Sequence, residues 1–306
     1  MKKAAIDLGT NTCLLLIEGG DQKILTDQAT VVRLGEGLDV QKIFSQAAMD
    51  RTLECLRRYL LILKKENILP HDVRCVATAS ARNSNNSKIF FEKIKNDLGL
   101  IFQTITGEQE AELTFLGALL PEMDSNSTLV LDIGGGSTEF VSSDGKISLN
   151  IGSVNLTERF LLSNPVTDKE FWSCQSFIDT EIDNVKIKLN KYLKGSKIFH
   201  LCGVAGTVTA LGAWFLRLDY FQAEKIEGLA LTVGDVHRML EELKWRTIDE
   251  RKQLPSVEEK RADVLLAGTL ILWRTMEKLG FSKIYISTRG LRYGVLDSRG
   301  KLILNC

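Results

Sequence analysis

Two short stretches carry residue types suited to phosphate chemistry. Residues 4–14 read AAIDLGTNTCL and residues 130–140 read VLDIGGGSTEF. Each is an apolar strand running into Asp-x-Gly and then into small hydroxyl or amide side chains. Glycine lets backbone N–H groups approach phosphate oxygens closely, and Thr, Ser or Asn side chains add donors. The aspartates of the two turns, Asp7 and Asp132, would hold a cation that offsets the phosphate charge. One such turn alone is no more than a tight hairpin requires. Two copies at domain-scale spacing, with a third turn GVAGT at 203–207, point to a duplicated unit whose opposed turns grip a polyanion.

Other phosphate and hydrolase chemistries are excluded by the same residues. No GxxxxGK[ST] occurs, GGGST lacks the P-loop lysine, and neither turn is a GxGxxG dinucleotide fingerprint. His71-Asp72 resembles the dyad of metal phosphohydrolases, but His71 is the first histidine in the chain, so no upstream histidine ligand exists. With three histidines in all, a Ser-His-Asp or Cys-His set is not needed; His200 reads as a core residue and His237 as a surface one. The six cysteines show no CxxC pair and no metal-ligand spacing, which favours a reduced, cytoplasmic protein. Lys+Arg and Asp+Glu both number 39, so no basic excess advertises nucleic acid or membrane lipid. No apolar run approaches the roughly 18–20 residues of a membrane span.

The elements that must position these turns alternate strand and helix. Strands are expected at 3–8, 13–18 and 23–33, then a long helix from Ser45, its N-cap, to about 66. A β-like run at 74–81, a helix at 85–97, a short strand at 101–105 and a helix from Gly107 to Pro121 complete the first half. The polar segment EMDSNS (122–127) is the linker candidate. The second half restarts with strands over TLVLDI, EFVSS and KISLNI. Helices at 154–162 and 167–191 follow, then a strand at 196–203 and a helix after the GVAGT turn. Two more helices, at 232–243 and 259–279, precede the strand KIYIS and the turn TRGLRYG. The four tryptophans, at helical spacings among apolar neighbours, read as core. The class is α/β with mixed sheets. The domains would be 1–121 and 122–306, with residues from about 292 onward returning to the first.

IDLGTNT, RLGEGL, ATASARN, GEQEAEL, DIGGGSTEF, GSVNLTE, GVAGTVTAL, RADVLLAG and GLRYG stand in the order and spacing of a known family. The chain resembles the exopolyphosphatase/guanosine pentaphosphate phosphohydrolase family in its short two-domain form. That resemblance implies two actin-like (ribonuclease H-like) domains with mixed sheets flanked by helices and a cleft between them. It implies that Glu110 is the catalytic glutamate, orienting or deprotonating water. Asp132 and Glu139 match the Mg²⁺ ligands, with Mn²⁺ as a substitute. Gly9, Thr10, Asn11 and Thr12, and Gly134, Gly135, Gly136, Ser137 and Thr138, match the phosphate-binding turns. Arg33, Arg82, Gly206, Thr207 and Arg292 match residues along the substrate channel.

The activity implied is Mg²⁺-dependent removal of the terminal phosphate of inorganic polyphosphate. Hydrolysis of guanosine pentaphosphate stays open as an alternative, and a catalytically weak nucleotide- or polyphosphate-binding sensor as an alternative of another class. ADP or ATP and a second copy of the chain, as a homodimer, are further expected partners; nucleic acid and membrane are not. Two departures stand out. Gln109 occupies a position where relatives commonly carry glutamate, and Ser287–Tyr293 has Thr288 and Tyr293 where the family more often has acids. The first is expected to tune activity, and the second makes this edge more basic.

Overall fold

The computed structural model describes residues 2–20, 23–192 and 198–297. By its internal contacts the chain divides into two units, and each is described by itself. The first runs to Gly117 and takes in Leu291 onward; the second is Ala118–Gly290.

The first unit comprises β1 (Lys3–Leu8), β2 (Thr12–Glu18), β3 (Ile24–Val31), α1 (Leu38–Gln41), α2 (Gln46–Lys65), β4 (Val73–Ala77), α3 (Ala79–Asn83), α4 (Ser87–Leu98), β5 (Phe102–Thr104) and α5 (Gly107–Ala118). Its sheet order is β3-β2-β1-β4-β5; β1 is antiparallel to β2 and parallel to β4. Strand periodicity sorts β1 between two cores. Ala4, Ile6 and Leu8 pack with Leu53, Leu56, Tyr59 and Leu63 of α2. Helix α2 starts where expected, with Ser45 Oγ accepting the Ala48 N–H at 3.2 Å.

The second unit comprises β6 (Thr128–Ile133), β7 (Thr138–Ser142), β8 (Gly145–Leu149), α6 (Ser153–Phe160), α7 (Asp168–Tyr192), β9 (His200–Val204), α8 (Ala205–Phe215), α9 (Ala223–Ile226), β10 (Ala230–Thr232), α10 (Val233–Trp245), α11 (Ile248–Lys252), α12 (Leu265–Leu279) and β11 (Lys283–Ile286). Its sheet order, β10-β11-β9-β6-β7-β8, contains the first unit's pattern, a three-stranded meander with two parallel strands on the far side of its first strand, and adds β10 antiparallel at the edge. The duplication suggested by the two turns therefore extends to five strands of each sheet. Leu129, Leu131 and Ile133 enter the core with Leu265–Leu272 of α12, leaving Val130 and Asp132 on the other face.

The last helix, α13 (Leu291–Leu296), belongs to the first unit. It covers the β1 face opposite α2: Leu291, Val295 and Leu296 pack with Ala5, Leu16, Val76, Ile105 and Leu113. Arg74 of β4 fixes its end by donating to the Val295 carbonyl and, at 3.4 Å, to that of Asp297. A Cβ on Gly294 would lie 1.8 Å from the Leu113 carbonyl oxygen, so only glycine allows this approach. The turn expected over TRGLRYG is corrected here: Leu291–Leu296 is helical.

Three further corrections apply. Residues 79–83 form a helix, so the strand expected to run to 81 ends at Ala77. The helix expected from 259 begins at Leu265, after a 3₁₀ turn at Glu259–Arg261. Of the tryptophans, Trp214 is core and Trp273 packs against it, whereas Trp172 and Trp245 are exposed and lie with Phe171 around the Lys244 ammonium. Among the described residues no helix is long and apolar enough to cross a membrane.

Candidate functional site

In the first unit, register decides what Asp7 meets. It shares a face of β1 with Ala5, so it points toward the side covered by α5 and α13. Helix α5 carries Glu110 and α13 carries Arg292. Asp7 is buried, and its carboxyl is pushed up to about 7, first by burial and then by the Glu110 charge, with Arg292 acting in the opposite sense. Glu110 Oε2 lies 3.0 Å from Arg82 Nη1, which also donates to the Ile105 carbonyl at 2.8 Å. Arg292 is held by Asp27 of β3, its Nε to Oδ1 at 2.8 Å and its Nη2 to Oδ2 at 2.7 Å. The Tyr293 hydroxyl donates to the same Oδ2 at 2.9 Å. Asp27, Arg292, Asp7, Glu110 and Arg82 thus form one chain of charged groups, each in contact or Coulombic range of the next, with the two acids Asp7 and Glu110 adjacent at its centre and an arginine on either side. Asp27 received no role from the sequence; its only signal was parity with Leu16, which sits opposite it on β2.

The turn after β1 is closed by Gly9 N donating to Thr12 O at 2.9 Å. Val32 N and Arg33 N both donate to Asn11 O at 2.9 Å, and Gly35 N to Thr10 O at 2.9 Å, so RLGEGL braces this turn. Thr10 and Asn11 are exposed and Gly9 and Thr12 half-buried. Arg33 adopts φ +50° and is exposed.

The second unit repeats the closure, with Gly134 N donating to Ser137 O at 2.9 Å. The remaining carbonyls of the turn face α6. Gly134 O accepts from Ser153 N at 2.9 Å, and Gly135 O from Val154 N at 2.8 Å and Asn155 N at 3.2 Å. Gly136 O accepts from the Asn155 side chain, Nδ2, at 2.8 Å. Gly152 must be glycine, because a Cβ there would stand 2.3 Å from the Gly135 carbonyl oxygen. Gly135 and Gly136 are exposed and Ser137 is half-buried. Thr138 departs from the expected phosphate role: it is fully buried, on the Phe140 face of β7, and its hydroxyl donates to Ile151 O at 2.7 Å.

Asp132 and Glu139 are direct cross-strand partners on β6 and β7, both half-buried on one face. Cross-strand partners have Cβ atoms about 4.5–5.5 Å apart, so two carboxylates here repel unless a cation lies between them. Glu139 Oε1 is oriented by the Ser148 hydroxyl at 2.8 Å. Among the described residues no group of three or more His, Cys, Asp or Glu could enclose a metal. A pair of hard oxygen ligands without a protein cage suits Mg²⁺, which keeps several waters and takes its remaining ligands from phosphate.

At the third turn, Gly206 lies under the Arg261 guanidinium, since a Cβ there would be 1.5 Å from Nη1. The Thr207 side chain packs on Gly268 of α12, where a Cβ would fall 2.5 Å from Oγ1. Arg261, to which the sequence assigned nothing, is thus the side chain presented at this turn. Its motif, RADVLLAG, was the available signal.

A model of the Ppx/GppA phosphatase family matches residues 16–302. The bifunctional 3-dehydroquinate synthase/phosphatase of Fusobacterium nucleatum is 33% identical over 301 residues, covering 93% of this chain and 44% of that protein, so this chain spans less than half of it. Exopolyphosphatase 2 of Mycobacterium tuberculosis is 31% identical over 314 residues, covering 95% of this chain and 96% of that one. The crystal structure of the Aquifex aeolicus Ppx/GppA family member matches at 30% identity with a TM-score of 0.84, covering 100% of this chain and 98% of that one. Its sheets, its turns and these likenesses agree: the chain belongs to the Ppx/GppA phosphatase family.

Proposed function

We propose that this chain is a Mg²⁺-dependent exopolyphosphatase that hydrolyses the terminal phosphoanhydride of inorganic polyphosphate and releases orthophosphate. The observation that carries the reading is the opposed pair Asp132/Glu139 on strands joined by the Gly134–Ser137 turn. Two carboxylates beside a glycine turn form a place for a cation and the phosphate it neutralises. Bound there, Mg²⁺ supplies charge compensation for the phosphoryl oxygens. Mn²⁺ offers the same oxygen preference.

Phosphoryl transfer asks the protein for positioning and electrostatics more than for covalent chemistry. Glu110 accepts the proton as the water oxygen attacks the terminal phosphorus. The bond from that phosphorus to the bridging oxygen breaks, and its electron pair leaves with the shortened chain. Arg82, fixed by Ile105 O, holds the Glu110 carboxylate in one orientation. Five buried, unpaired thiols among the described residues support a reducing compartment such as the cytoplasm.

The test is phosphate release from short polyphosphate, long polyphosphate and guanosine pentaphosphate, side by side with Mg²⁺. Preference for polyphosphate is the expected result. A guanosine pentaphosphate preference would replace the substrate, and equal trace rates on all three would refute the enzyme reading in favour of a sensor.

A further inference from the structure

The construction of the second unit's turn contains a device that the residue types alone do not suggest. In a trans peptide, the carbonyl of one residue and the N–H of the next point in opposite directions. The carbonyls of Gly134, Gly135 and Gly136 are all drawn toward α6. The N–H groups of Gly135, Gly136 and Ser137 therefore point away from it, toward one side of the turn. Among the described residues none of these three amides has an acceptor. Successive free amides of this kind form an anion-binding concavity.

The three peptides are not held alike. Two are fixed by main-chain N–H groups of Ser153, Val154 and Asn155, which any residue there except proline would supply. The Gly136–Ser137 peptide is different. Among the described residues its carbonyl accepts from one donor, the side-chain Nδ2 of Asn155 at 2.8 Å. No side-chain packing bears on Gly136, since a Cβ there would meet no atom within 4 Å. The Asn155 amide is itself held at both ends: Oδ1 accepts the Gly152 N–H at 2.8 Å and Nδ2 also donates to Asn150 O at 3.2 Å.

We propose that Asn155 is a positioning residue that aims the Ser137 N–H at the phosphate without touching it. The proposal rests on the reading of residues 134–137 as the phosphate-binding turn. Without the Nδ2 donor, the Gly136–Ser137 peptide is free to rotate and one charge-assisted hydrogen bond to phosphate is lost. That loss corresponds to a 10- to 100-fold fall in kcat/KM.

Asn155→Asp and Asn155→Ala separate this role from helix capping. Aspartate keeps the acceptor for Gly152 N–H and favours the start of α6 by charge, but removes the donor. Alanine removes both without adding charge. The expected result is that N155D, which keeps the Gly152 N–H bond, melts above N155A, yet both variants lose kcat/KM by the stated factor. Loss in alanine as well excludes simple repulsion by the new carboxylate. Wild-type kcat/KM in a folded N155D protein would overturn the proposal.

Amide spectra of the full-length ¹⁵N-labelled chain, titrated with Mg²⁺ and pyrophosphate, supply the second readout. The Gly135, Gly136 and Ser137 signals should move in the wild type, and Ser137 alone should stop responding in N155D. If all three still move in N155D, Asn155 does not aim the turn. If none moves in the wild type, the phosphate-turn reading itself fails.

Discussion

Replacing Asp7 by asparagine should make the first unit more stable as pH rises, while impairing its activity. The Asp7 carboxyl titrates near 7 in the folded chain against 3.8 for an unperturbed aspartate, because it is buried and faces Glu110. With the folded value raised, the folded state holds the proton more tightly. This stabilising preference is complete below pH 3.8 and is lost as pH rises to 7. The shift is about 3 units, which at 1.36 kcal/mol each amounts to about 4 kcal/mol of stability lost by pH 8. Asparagine is neutral throughout and loses none of it. The stability difference between variant and wild type should therefore grow by about 3 kcal/mol between pH 5 and pH 8. Tryptophan fluorescence cannot follow this, since Trp172, Trp214, Trp245 and Trp273 all lie in the second unit. Hydrogen exchange read on peptides from β1 and β4 can, because these strands carry Asp7 and its neighbour Val76. A difference that stays constant across that range would show that Asp7 is charged and solvated in the folded chain, and the electrostatic description of this face would fall.

Glu110→Gln should lower kcat by a factor on the order of 10² to 10⁴ with KM unchanged or reduced, because the proton acceptor goes but the shape remains; near-wild-type kcat would leave Glu110 only a helix-capping role. Asp132→Ala should abolish Mg²⁺-stimulated turnover with the fold intact by circular dichroism, and unchanged metal dependence would remove it from the cation site. Asp27→Ala strips the largely buried Arg292 of its bidentate carboxylate partner, the side chains of Asp27 and Arg292 being 20% and 13% exposed. It should cost about 3 kcal/mol, at the low end for a broken buried pair, by chemical denaturation. Tyr293→Phe removes the hydroxyl's hydrogen bond to Asp27 and should cost about 1 kcal/mol on the same scale.

The two Asp-x-Gly turns were legible because strand periodicity and glycine chemistry are local, and both turns close through the same hydrogen bond at 2.9 Å. The repeated sheet order followed from the repeated turn. Asp27 was not legible, because its partner Arg292 lies 265 positions away and no local pattern announces the pair. Helix α13 was hidden by Gly290 before it and Gly294 within it: Gly294 reads as a turn residue until Leu113 is seen against it. Thr138 was misplaced by its motif although its parity with Phe140, two residues on, already sent it inward. Trp172 and Trp245 failed for a different reason. Helical spacing identifies a face, but here Lys244 supplies a cation for the rings, and they remain at the surface.

Helix α13 also sets an order of events at the ribosome. The first unit's sheet is synthesised before the second unit, but the face bearing Ala5, Leu16 and Val76 has no cover from Leu291, Val295 and Leu296 until α13 emerges. Between Gly117 and Leu296 lie 296 − 117 = 179 residues of synthesis, roughly 10–35 s at 5–20 residues per second. The second unit, contiguous from Ala118 to Gly290, is fully translated first. The nascent chain thus finishes its later half before its earlier one. Throughout that interval Asp7 lacks Arg292, so the charged cluster around Glu110 is assembled only after α13 has been translated.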